Sequence, residues 1–273
     1  FLDQINVNVA PYVTVIGLDD IYQSIDSIGY PAVLKPIQRG VGEDSLMITK
    51  ESDIARASDF MKAGTYLLES WIDHTAEYAM TMAIDNEGNH LYPLSELQYA
   101  EDHRLQAVKS PVIVPDDMLE EMKRIANSIG NQLGYKGIIS VNFYVTSTGN
   151  LYLKDLEPGV STSANIFTES ANVSQYEQQV RISAGRPAHF IEEVQPAIFM
   201  IGRQEQLSAL ERQALIRDNW KFSFFEPNQS ERDQVYAYVW ATGKDTTVEE
   251  IQNQVDDTEV WMNSEHEDTN PTE

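Results

Sequence analysis

Two turn signals, Asp85-Asn86-Glu87-Gly88 and Thr148-Gly149, constrain the fold more than any other feature of this chain. Each lies between strand-like segments, and so short a connection can join strands only in antiparallel fashion. Elsewhere strand-like and helix-like stretches alternate. Alternation interrupted by hairpins defines an α+β architecture, not a doubly wound parallel sheet. The sequence carries no dinucleotide fingerprint and no internal repeat.

Leu18-Asp19-Asp20, followed by Ile21, Tyr22, Ile25 and Ile28 and stopped by Gly29, has the acidic start, three-four spacing and glycine end of an amphipathic helix. Tyr30 to Lys35, Leu46 to Thr49 and Thr65 to Ile72 read as strands, and Ser52 is placed to cap a helix carrying Ile54, Ala57, Phe60 and Met61. From Glu77 to Tyr92 the alternation continues through the first turn signal. A helix then follows, led by Asp116 and Asp117, with Met118, Leu119, Met122, Ile125, Ile129 and Leu133 on one stripe and Gly134 at its end. Ile138 to Val145 and Leu151 to Leu156 flank the second turn signal, and Ser174 to Ser183 is a further helix. Gly185-Arg186-Pro187 marks a boundary, beyond which residues 188–262 read as a small unit of β-α-β-β-α order. Residues 263–273 are acidic, proline-bearing and expected to be disordered.

With 273 residues, 42% of them apolar, the chain can bury a large core. A formal charge of −24 repels phosphate backbones and anionic membrane surfaces, so neither nucleic acid nor a membrane is an expected partner, and any bound phosphate must be held locally. The absence of cysteine removes disulfides, thiolate zinc sites and thiol nucleophiles together, which fits a reducing, cytoplasmic compartment. No apolar run approaches a membrane span. The start, Phe1-Leu2-Asp3-Gln4, has neither an initiator methionine nor the order of a signal peptide, so the chain reads as a fragment with an upstream part missing. None of the five histidines stands in a metal-ligand spacing with another.

Three constellations carry chemistry. Lys35 leaves an apolar strand toward Gln38-Arg39-Gly40-Val41-Gly42-Glu43-Asp44-Ser45, where glycines would let backbone N–H groups approach phosphates and the ammonium would add charge. A snorkelling lysine beside an ordinary hairpin loop has the same pattern. Leu67 to Ile72, with Glu77 following, offers a strand end for an adenine edge and a carboxylate for ribose hydroxyls, or else a core strand with solvated glutamates. If Thr148-Gly149 is a two-residue loop, Ser147 pairs with Asn150 and Asn142 stands opposite Asp155, their Cβ atoms about 5 Å apart. Glu157 shares that face. Converging oxygens of this kind suit magnesium, and a solvated polar face would read identically.

These three constellations occur in the order and spacing of the ATP-grasp ligases, and the chain resembles the 5-(carboxyamino)imidazole ribonucleotide synthases among them. The likeness runs from Phe1 to about Pro187 through Gly29-Tyr30-Pro31-Ala32-Val33-Leu34-Lys35, Leu68-Glu69, Tyr92-Pro93-Leu94, Leu133-Gly134-Tyr135, Phe143-Tyr144-Val145-Thr146 and Ser174-Gln175-Tyr176-Glu177-Gln178. The resemblance implies an ATP-grasp fold, two α+β subdomains (1–75 and 76–187) holding ATP between them, followed by the small C-terminal unit, with the family's amino-terminal domain absent. It implies a purine-biosynthetic carbon–nitrogen ligase, the ATPase subunit of phosphoribosylaminoimidazole carboxylase. This enzyme uses MgATP and bicarbonate to carboxylate aminoimidazole ribonucleotide through carboxyphosphate, and a homodimer is expected. A second reading is a paralogue that kept the fold to bind nucleotide or a protein partner without this catalysis.

By the same resemblance Lys35 would contact phosphates, Glu69, Trp71 and Ile72 adenine, and Glu77 ribose; Arg39, the cation of the glycine loop, is expected to join Lys35 on the phosphates. Asp155 with Asn142 or Glu157 would hold magnesium, and Arg232 a substrate phosphate. The departures cluster at ligand positions. Asn142 and Asp155 stand where the family carries magnesium-binding glutamates, and Gly42-Glu43-Asp44-Ser45 replaces an aspartate-glycine-lysine-glycine run. Gly159 to Asn165 replaces a segment with two histidines and an arginine, and Glu231-Arg232-Asp233 keeps one cation of a basic segment.

Overall fold

A computed structural model describes residues 5–37, 45–62, 64–101, 103–192, 194–226 and 234–261. The chain forms two compact units, Phe1–Thr75 with Phe143–Lys154, and Ala76–Asn142 with Asp155–Glu273.

The first unit is built on an antiparallel sheet of β1 (Tyr12–Val15), β2 (Ala32–Pro36), β3 (Leu46–Ile48) and β4 (Tyr66–Ser70), ordered β1-β4-β2-β3. Helix α1 (Leu18–Ile28) buries Ile21, Ile25 and Ile28 against Val15, Ala32, Leu34, Ile48 and Leu68, the stripe its spacing predicts. Its first turn is closed by Asp20, whose Oδ2 accepts from Ile16 N at 2.8 Å and Gly17 N at 3.2 Å. Gly29 ends it at φ 84°, a conformation that costs glycine little.

The helix expected after Ser52 is instead a 3₁₀ turn, Glu51–Arg56, followed by the short α2 (Ala57–Phe60). Ser52 does not cap it. Asp53 does the fastening, accepting from Thr49 Oγ1 at 2.6 Å and Thr49 N at 3.0 Å. Those hydrogen bonds, the one from the Thr49 side chain foremost, hold the Asp53 carboxyl below its usual value. Strand β1 is too short and too exposed to read as a strand from sequence.

The second unit contains β5 (Ala76–Ile84), β6 (Asn89–Leu91), β7 (Ser95–Tyr99), β8 (Leu105–Ser110), α3 (Asp116–Gln132), β9 (Gly137–Val145) and β10 (Leu151–Pro158). It continues with α4 (Phe167–Ser170), α5 (Gln175–Ser183), β11 (Ala197–Gly202), α6 (Leu207–Ile216), β12 (Trp220–Phe224), β13 (Ala237–Thr242) and α7 (Val248–Asp256); the tips of β9 and β10 belong to the first unit. The sheet runs β10-β9-β5-β7-β8-β11-β13-β12, with β6 on β5. The pairs β5–β7, β7–β8, β8–β11, β11–β13 and β12–β13 are antiparallel. β7 and β8 were not legible as strands.

Residues 188–262, expected to form a small domain of their own, instead extend this sheet through β11, which pairs with β8. All six residues of β11 are buried. A strand apolar on both faces needs neighbours on both edges and cover on both sides. Phe199 and Ile201 pack with Tyr92, Phe167 and Trp240, while Ile198 and Met200 pack with Leu210 of α6 and Ile251 and Val255 of α7. The β-α-β-β-α order of the segment is as read. The acidic residues 263–273 lie outside the described residues.

Close packing under α6 singles out Gly202. A Cβ there would collide with Leu210 Cδ1 and meet Ala237 Cβ at 3.0 Å. Gly202→Ala is expected to lower the unfolding free energy by about 1–3 kcal/mol, read as a shift of the urea midpoint at unchanged slope. An unchanged midpoint would mean that Leu210 turns away at no cost.

The turn between β5 and β6 is built on Asp85, 3% exposed. Its Oδ1 accepts from Glu87 N at 2.8 Å and Gly88 N at 3.0 Å, and its Oδ2 accepts from Ala188 N at 2.7 Å. His90 Nε2 lies 3.3 Å from Oδ1, and the Lys136 ammonium donates to the Asp85 carbonyl. Burial alone would push the Asp85 carboxyl up; the N–H groups of Ala188, Glu87 and Gly88, with His90, outweigh it and hold the carboxyl below its usual value.

Candidate functional site

In the first unit, alternation along β2 and β4 puts Ala32, Leu34 and Leu68 in the core and Val33, Lys35, Leu67 and Glu69 on the opposite face. Lys35 and Glu69 are diagonal neighbours in this register, and Lys35 Nζ donates to Glu69 Oε2 at 2.6 Å. Two residues expected to make separate contacts are thus one ion pair. Arg39 and the glycine loop lie outside the described residues.

Trp71 and Ile72 follow β4, but their backbone is less open than a bare strand end. Trp71 N donates to Pro31 O at 2.9 Å, and Ile72 O is 2.7 Å from His74 Nδ1, which donates to it in the tautomer this contact selects. An aromatic series starts at the same place. The rings of Trp71 and His74 are 5.4 Å apart, His74 stacks on Tyr144 at 4.2 Å, and Lys154 Nζ stands 5.4 Å above the Tyr144 ring. Sequence reasoning missed His74 and Tyr144, because an isolated histidine and a strand tyrosine 70 residues on share no local pattern.

In the second unit, Glu77 lies on β5 opposite Leu97, Asn142 on β9, and Asp155 and Glu157 on β10. The expected pair meets: Asn142 Nδ2 donates to Asp155 Oδ1 at 2.6 Å. The turn between these strands differs from expectation. Thr146 O accepts from Gly149 N at 2.9 Å and Thr146 N donates to Asn150 O at 3.0 Å, so the loop has three residues, with Gly149 at φ 80°. Ser147 is therefore not paired with Asn150, and β10 must absorb the one-residue shift before Asp155.

A row of hydroxyls adjoins Asn142. Thr81 Oγ1 and Ser140 Oγ are 2.9 Å apart, Ser140 Oγ and Ser161 Oγ 3.1 Å, and Ser161 Oγ and Ser163 Oγ 3.1 Å. Gln175 clamps this segment, donating to Ser161 O at 2.7 Å and Asn165 Oδ1 at 2.9 Å and accepting from Ser161 N at 2.9 Å. Gln178 is bound in the same manner to the backbone of His189. Both glutamines of the Ser174–Gln178 motif are fully buried and position the chain. Burial pushes the Tyr176 phenol up, while its bond to Asn165 acts the other way. Arg232 lies outside the described residues.

The donor set does not fit a divalent cation held by the protein alone. Magnesium takes near-octahedral oxygen ligands, usually including carboxylates. Here an amide N–H occupies one oxygen of Asp155, and among the described residues no group of three or more His, Cys, Asp or Glu is arranged to hold a metal ion. No described helix is long and apolar enough to cross a membrane.

A four-stranded antiparallel sheet bearing Lys35 on an inner strand, and a second, longer sheet bearing Glu77, Asn142, Asp155 and Glu157, agree with the α+β organisation the motifs implied. The ATP-grasp domain matches residues 1–176, and the chain belongs to the ATP-grasp family. Within it, the chain is similar to N5-carboxyaminoimidazole ribonucleotide synthases. That of Staphylococcus saprophyticus is 23% identical over 225 residues, 81% of this chain and 60% of the relative. That of Bacillus subtilis is 22% identical over 259 residues, 93% of this chain and 66% of the relative. The chain thus spans under two thirds of the length of these curated relatives. The fold is that of an N5-carboxyaminoimidazole ribonucleotide synthetase solved as its ADP complex, with a TM-score of 0.85 at 18% identity, covering 95% of this chain and 69% of the other. The Aspergillus clavatus carboxyaminoimidazole ribonucleotide synthase complexed with ATP gives 0.84 at 20%, covering 95% and 70%.

Proposed function

We propose that this chain is the nucleotide-binding part of a carbon–nitrogen ligase of purine biosynthesis, which uses ATP and bicarbonate to carboxylate aminoimidazole ribonucleotide through carboxyphosphate. The observation that carries this reading is the likeness to synthases of that name across most of the chain, with Lys35, Glu69, Trp71, Ile72 and Glu77 standing where nucleotide contacts are expected. In this reading Lys35 and Arg39 contact phosphates, Glu69, Trp71 and Ile72 the adenine, Glu77 the ribose and Arg232 a substrate phosphate. The Trp71–His74–Tyr144 series supports the adenine assignment, because it stiffens the backbone at Ile72 through His74. Any magnesium arrives chelated by the nucleotide's own phosphates, and Asp155 and Glu157 are the charged side chains this chain offers to it. A cytoplasmic homodimer belongs to the same reading. The relatives are named as synthases, which weighs against the second reading, a binding role without catalysis.

Calorimetric titration of ATP into the protein tests this, followed by ADP release in the presence of bicarbonate and aminoimidazole ribonucleotide. Binding in the micromolar to submillimolar range, with ADP release that needs both co-substrates, is the expected result. Absence of ATP binding would sink the reading, and ADP release indifferent to the imidazole would replace the acceptor.

A further inference from the structure

We propose that Asn142 takes the place of a cation at Asp155: its amide locks the carboxylate by a hydrogen bond, so the protein keeps no divalent metal of its own at this pair. The link to nucleotide rests on the ligase reading; the statement about the pair does not.

The orientation of the Asn142 amide is fixed by chemistry. Its nitrogen is 2.6 Å from Asp155 Oδ1. Turned over, the amide would set its oxygen against a carboxylate oxygen at that distance, two acceptors with no proton between them. The N–H therefore faces Asp155, and a hydrogen bond of this length to a charged acceptor is a strong one. The positive end of the amide dipole thus occupies the side of Asp155 on which a bridging cation would have to sit. Asn142 is 4% exposed, and water competes poorly for the bond there.

The contrast with an acid at the same position is large. Two carboxylates at this separation repel, and they coexist only with a cation bridging them or a proton shared between them, so a divalent metal supplied in excess has a charge site to fill. With asparagine the pair carries one negative charge, and the contact between the two side chains holds without a metal. Asn142 Oδ1, pointing away from the bond, is buried with no hydrogen-bond partner. It is a neutral acceptor, suited to a water or an N–H or O–H group of a ligand, and by itself a weak ligand for magnesium.

The test is manganese binding followed by electron paramagnetic resonance on the apo protein, for the wild type, Asn142→Asp, and the exchanged pair Asn142→Asp/Asp155→Asn. The wild type and the exchanged pair are expected to bind no manganese at this site, and Asn142→Asp to bind one ion at neutral pH, at least about tenfold more tightly than any adventitious manganese on the wild type, because it sets two carboxylates at a separation that a divalent cation can bridge. The exchanged pair restores an amide–carboxylate bond, so its behaviour separates charge from misfolding. A manganese ion bound by the wild type and lost on Asp155→Asn would overturn the proposal, as would an Asn142→Asp protein that melts cooperatively and gains no ion. Titration of ADP in EDTA and in magnesium adds an independent arm. A ratio of affinities within about threefold for the wild type, widening about tenfold in Asn142→Asp, is expected. Failure of ADP to bind in either buffer would remove the ligase reading, and the manganese result would still decide the role of Asn142.

Discussion

Asp85→Ala is expected to destabilise the protein by about 3–5 kcal/mol, the sum of a buried N–H at Ala188 left without an acceptor and the loss of two turn hydrogen bonds. Denaturant unfolding of the variant against the wild type measures it, and a loss below about 1 kcal/mol would mean that water replaces the carboxylate. Asp85→Asn isolates the charge. Because the folded carboxyl is held below its usual value, its stabilisation is fully present above the unfolded pKa of about 4 and is lost as pH falls through the lower, folded value. The difference in stability between wild type and Asp85→Asn should therefore be constant from neutral pH down to about 4 and shrink below it. A difference that grows on acidification would reverse the assignment.

If this chain binds nucleotide as proposed, Lys35→Ala is expected to weaken ADP binding by about 10- to 100-fold, the loss of one or two charge-assisted hydrogen bonds to phosphate together with exposure of Glu69 as an unpaired negative charge. The ion pair makes a sharper experiment available. In Lys35→Ala/Glu69→Gln the unpaired negative charge is gone while an amide remains to hydrogen-bond the adenine, so the double variant should recover several-fold of the lost affinity by calorimetry. If the double variant binds no better than Lys35→Ala alone, the Glu69 charge is not felt at the phosphates, and the pair serves the sheet.

Both predictions depend on residues that the sequence exposed unequally. Lys35 and Glu69 stood out singly, but their pairing depends on the β2–β4 register, Val33 opposite Glu69 and Lys35 opposite Leu67, which no local pattern specifies. Asp85 was legible only as part of a turn signal, and the hydrogen bond donated to it by Ala188 N, 103 residues away, leaves no trace in that segment. Asn142 and Asp155 were legible as neighbours because one hairpin joins them, although the assumed loop was one residue too short. β7 and β8 were not legible because β7 is only five residues long with two large apolar side chains, β8 departs from strict alternation at Ala107-Val108, and the connection from Ala100 to Arg104 contains no glycine, proline or asparagine. The helices, whose caps and stripes are local, were the clearest elements, α1 and α3 above all. The separate C-terminal domain failed as an expectation because strand pairing between β8 and β11 spans some ninety residues and leaves no trace in either segment.

The first unit is discontinuous along the chain: residues Phe143–Lys154 belong with Phe1–Thr75. Leu153 N bonds to Asn8 O, Thr75 N bonds to Val145 O, and His74 stacks on Tyr144. A break anywhere between Thr75 and Phe143 strips the amino-terminal piece of all three contacts, so this unit cannot be inherited, exchanged or transplanted as a contiguous module. Gene-level recombination that respects its architecture has to carry the intervening residues 76–142 along, which keeps Lys35, Glu69, Glu77 and Asn142 travelling as a single heritable block.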